Sequence, residues 1–73
     1  GTKQLKKDLA AAEKRMEKLD QLMETLNAEK EAAASDYQKL QELAEQEAEY
    51  TAEYDALMEK WEVLSEAIAA EEG

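Results

Sequence analysis

The 73-residue sequence has no cysteine, no histidine and no proline, and its two glycines stand at the chain ends. Without cysteine there can be no disulfide and no thiolate metal site. With histidine absent as well, the commonest general base and the usual partners of a catalytic serine or cysteine are missing. No glycine-rich phosphate loop is present. Carboxylate pairs at helical spacing, such as Glu13 with Glu17 and Glu45 with Glu49, follow from the acidic composition. A working acid pair would also need a desolvated pocket to separate the two acidities, and so short a chain buries too little surface to build one. We therefore expect no enzyme, no cofactor and no metal in this chain.

Cations are scarce, nine against nineteen acidic residues, for a net charge of -10. Nucleic-acid affinity comes largely from lysines and arginines displacing counterions, so the chain as a whole repels a polyanion. No stretch approaches the roughly 18 apolar residues of a membrane span, and nothing resembles a signal peptide. A soluble domain with no membrane partner is expected. Since the chain starts at Gly1 and enters a helical pattern almost at once, we expect it to be part of a longer protein.

Alanine, leucine, glutamate, lysine and glutamine dominate, and no strong helix breaker lies between Thr2 and Glu72. Leu5, Leu9, Ala12, Met16, Leu19, Met23 and Leu26 follow one another in alternating steps of four and three, a heptad seam. The pattern returns with Leu40, Leu43, Glu47, Tyr50, Tyr54, Leu57, Trp61, Leu64 and Ile68, with Glu47 as its one acidic member. Ser35, three residues before Gln38, has the form of a capping box. These signals predict a single all-α domain over residues 1–73, a two-helix antiparallel coiled-coil hairpin. Helix one should cover about 3–27, the turn about 28–35 and helix two about 36–70.

A short connection makes the helices antiparallel. One register fills every layer, from Leu26 against Leu40, through Leu19 against Glu47 and Ala12 against Tyr54, to Leu5 against Trp61. It also opposes Asp8 with Lys60, Arg15 with Glu53, and Glu29 with Lys39. The expected state is a monomeric hairpin; a continuous helix dimerising in trans is the rival. Glu47 is either a register device or a residue that reaches toward Arg15 or Lys18. Tyr37, Ala44, Thr51 and Met58 form a milder stripe on one flank of helix two, either a docking edge or a broadened core.

Residues 1–34 hold seven cations and seven anions, whereas residues 35–73 hold two and twelve. The acidic second helix is either a solvated face or a contact for a basic partner. Lys3, Lys6 and Lys7 cluster at the start of helix one, and the register brings Lys60 and Trp61 beside them. Cations next to an aromatic suit phosphate and base contacts, making these five the candidates for contact with nucleic acid or ribosome. Glu59, Glu62 and Glu66 on the same turns oppose that role, and Trp61 in the seam has a core role open to it.

The run Tyr54-Asp55-Ala56-Leu57-Met58-Glu59-Lys60-Trp61-Glu62-Val63-Leu64-Ser65 resembles the end of the C-terminal domain of ABC-F ATP-binding proteins, particularly the Uup branch. Tyr37 to Leu43 is similar to the start of that domain's second helix, and Lys3 to Lys7 to its opening; the proline of the family's connection is absent. The resemblance implies an accessory domain of a soluble cytoplasmic ATPase that acts on ribosomes or nucleic acids. ATP and Mg would then belong to the parent's nucleotide-binding domains, outside this chain. In the Uup branch the domain is associated with DNA binding, which the resemblance extends to this chain as an expectation.

Overall fold

A computed structural model describes all residues from Gly1 to Gly73. It contains two helices, α1 (Lys3–Ala32) and α2 (Tyr37–Glu72), packed antiparallel as the all-α hairpin expected from the heptads. The molecule measures 54 × 15 × 14 Å. At about 1.5 Å per residue, the 36 residues of α2 account for its whole length.

The turn is tighter than the seam suggests. Helix α1 runs on to Ala32 rather than ending near Asn27, and the connection is Ala33–Asp36 rather than 28–35. Ala28, Ala32 and Ala33 favour continuation, and the seam continues through half-buried Lys30 and Ala33. The cap of α2 is Asp36, not Ser35: its extended backbone turns the side chain to accept from the Lys39 N–H at 3.1 Å. A carboxylate at a helix N-terminus also meets the positive end of the helix dipole. The turn closes through the Asp36 N–H to the Ala33 carbonyl at 2.8 Å, with no residue at positive φ. Hence neither glycine nor proline is needed.

The shorter turn moves the register by one heptad. Thr2 and Lys6 both reach Glu72, Met23 meets Thr51, and Lys30 meets Glu47. Met16 shares a groove with Tyr54, Met58 and Trp61. These contacts place Leu5 against Ile68, Leu9 against Leu64, Ala12 against Trp61, Leu19 against Tyr54 and Leu26 against Glu47. Leu64 is accordingly buried and Ile68 half-buried; in the expected register both would have lain at or beyond the end of α1.

Of the three anticipated charge pairs, only Arg15–Glu53 forms, with Nε to Oε2 at 2.6 Å and Nη2 to Oε1 at 3.0 Å. Flanking residues reach partners on either side of a layer, so this pair is compatible with both registers and could not choose between them. Asp8 instead accepts from Gln4. The core is thin: Ala12, Leu19, Leu26, Leu43 and Leu64 are buried, and only Leu19 is wholly enclosed.

Candidate nucleic-acid interface

The five candidates do not converge. Lys3 and Lys7 stand exposed on the first turns of α1, with neither in an ion pair. Lys6 is neutralised by Glu72, which also accepts from the Thr2 hydroxyl at 3.3 Å. The hydrogen bond from Lys6 holds the Glu72 carboxyl below the usual carboxylate range, against a smaller opposing effect of desolvation.

The one-heptad shift carries Lys60 and Trp61 about two turns, ~10 Å, inward from this end. Trp61 is half-buried in a groove with Met16, Tyr54 and Met58, rimmed by Glu13, Glu17 and Asp20. An indole so surrounded is poorly placed for a phosphate backbone. The pairing of Lys60 and Trp61 with Lys3, Lys6 and Lys7 is thus not found, because it depended on the register.

A different alignment of cations emerges on α1. With about 100° between successive residues, Lys3, Lys7, Lys14 and Lys18 fall within about 60° of one another on the outer face. Ala10, Ala11, Gln21 and Thr25 share that face, and all of these side chains are exposed. Glu17 borders the row in a surface groove with Lys14, Lys18 and Gln21, yet none of the four lysines is ion-paired. Lys3 to Lys18 spans about 22 Å along the axis. The signal was in the sequence, at steps of four, seven and four, but counting charge by halves of the chain averaged it to zero.

Arg15 lies next to this row but turns toward the seam. Its two-point contact with Glu53 raises the guanidinium further and lowers the Glu53 carboxyl, the hydrogen bonds being the largest cause for each. The seam holds one more polar pair, Lys30 Nζ to Glu47 Oε1 at 2.8 Å, so Glu47 answers Lys30 and not Arg15 or Lys18. No group of acidic residues is arranged to hold a metal ion, and no helix is long and apolar enough to cross a membrane.

Residues 2–66 match the model of a family described as the ABC transporter C-terminal domain. Searches of curated proteins and of solved structures returned no match.

Proposed function

Since the chain belongs to the family of ABC transporter C-terminal domains, we propose that it is a non-catalytic accessory hairpin of a soluble, cytoplasmic ABC-F type ATPase of the Uup kind. It projects from the parent as a monomeric hairpin and contacts duplex DNA or the ribosome. ATP and Mg are handled by the parent's nucleotide-binding domains. The resemblance around Lys60-Trp61-Glu62 supports the branch. The exposed row of unpaired cations Lys3, Lys7, Lys14 and Lys18 is the observation that carries the contact role.

A net charge of -10 repels a polyanion at long range, and the row answers that objection at short range. Its positive face turns away from the acids of α2, and at physiological salt the screening length is only about 8 Å. Affinity should be modest and steeply dependent on salt.

The test is titration of the 73-residue chain with duplex DNA and with ribosomes at low salt. Binding to one of them should weaken with salt, and each lysine of the row changed to glutamate should lower the salt slope by about one. Lys60→Glu should have a smaller effect. Absence of binding to both ligands, or binding indifferent to Lys14→Glu and Lys18→Glu, would refute the contact role. Mass rising with concentration would instead favour an oligomerisation coil.

A further inference from the structure

About 100° around α1 from the lysine row, Met16, Tyr54, Met58 and Trp61 line an open apolar groove along the seam, with Glu13, Glu17 and Asp20 as its rim. We propose that this groove docks a cationic amphipathic helix of a partner protein, two to three turns long, with apolar anchors on one face and lysines or arginines beside them. This interaction is separate from the nucleic-acid contact proposed above and does not rest on it.

Three features of the groove point to that occupant. Its floor is unfinished core: Met58 is 40 % exposed although it lies beside the seam. A two-helix hairpin leaves the flanks of its seam open, and a third helix laid along one flank completes the packing found in helical bundles. The wall contributed by α2 lets such a helix approach. Thr51 and Ser65, two turns to either side of Met58, are small and share its side of α2, and the exposed carboxylates of Asp55 and Glu62 stand between them, adding to the negative charge that a cationic helix would meet.

The rim fixes the sign of the partner's charge. Glu13, Glu17 and Asp20 of the rim, and Glu24 one turn beyond it, succeed one another at spacings of four, three and four, so these successive neighbours on the helix surface are like-charge pairs. Such pairs destabilise a helix, and a row of cations alongside removes the penalty. None of the four carboxylates is in an ion pair, although Lys14 and Lys18 stand on the same helix. The repulsion is therefore intrinsic to the free hairpin. A neutral apolar helix would leave it in place, and an acidic one would increase it.

Trp61 is the only tryptophan and lies in the groove, so its fluorescence reports occupancy directly. The probe is a synthetic fourteen-residue helical peptide, about four turns long, with leucines at heptad seam positions and lysines on either side. Its control has the same composition permuted so that no apolar face forms. Saturable change in Trp61 emission is expected with the amphipathic peptide, and about tenfold weaker binding with the control. Met58→Glu, at an exposed position compatible with the fold, should weaken binding by about tenfold, as should the combined change Glu13→Lys, Glu17→Lys and Asp20→Lys. Equal binding of the two peptides, or a midpoint unmoved by Met58→Glu, overturns the proposal. So does a peptide-free dimer in sedimentation that Met58→Glu dissolves, since the occupant would then be a second copy of this chain.

Discussion

Helix α1 carries seven cations and seven anions, yet two rows on its surface, about 100° apart, have opposite characters. Lys3, Lys7, Lys14 and Lys18 form one, all exposed and none ion-paired. Glu13, Glu17, Asp20 and Glu24 form the other, beside the groove that holds Trp61. The difference shows that net charge, of the chain or of half of it, is a poor guide to what an amphipathic helix contacts. A rod about 15 Å across presents surfaces separately, and each partner meets one of them.

The largest effect on both rows is expected from Leu19→Ala. Leu19 is the one wholly enclosed side chain, and truncating a buried leucine costs about 2–5 kcal/mol. With so thin a core, that loss should abolish cooperative thermal unfolding in circular dichroism and dissolve both rows, whereas Ile68→Ala near the open end should lower the midpoint by much less.

A smaller, stabilising effect is expected from replacing Lys30 and Glu47 together by leucine. The pair occupies seam positions with its side chains still 27 % and 38 % exposed. Exchanging a partly buried ion pair for apolar packing is commonly neutral to favourable, so a gain of about 1 kcal/mol should appear in urea unfolding, with both rows intact. Loss of stability would show that the pair contributes more than packing does.

The smallest effect belongs to Arg15→Gln, which touches neither row. The folded Glu53 carboxyl is held below its ordinary range by Arg15, so the contribution of the pair is present above the unfolded pKa and is lost as pH falls through the folded one. Melting curves of the two proteins should differ slightly at neutral pH and converge in acid. A gap that persists at acid pH would mean that Arg15 acts through packing of its stem.

The helices, their antiparallel packing and the seam residues were legible in the sequence, because the heptad steps depend only on which positions are apolar. Register and turn were not. A shift of seven residues returns every seam residue to a seam position and leaves Arg15 within reach of Glu53. Periodicity and charge complementarity therefore cannot separate the alternatives. What separates them is how far α1 continues, and that rested on Lys30, which the apolar pattern passes over, and on Asp36 rather than Ser35 as the cap. The misplaced turn then carried Lys60 and Trp61 to the wrong level, and with them the expected site. Sequence reading also located Met58 and its stripe, but could not show that the acidic rim faces it.

The acidic groove exists only in the register that brings Trp61 opposite Ala12 and beside Glu13. The chain has no cysteine, so a pair introduced across the seam reports register without interference. Leu9→Cys with Leu64→Cys should oxidise readily to an intramolecular disulfide in the monomer, while Leu9→Cys with Leu57→Cys should remain reduced under the same conditions. Preferential closure of the second pair would contradict the register, and with it the groove.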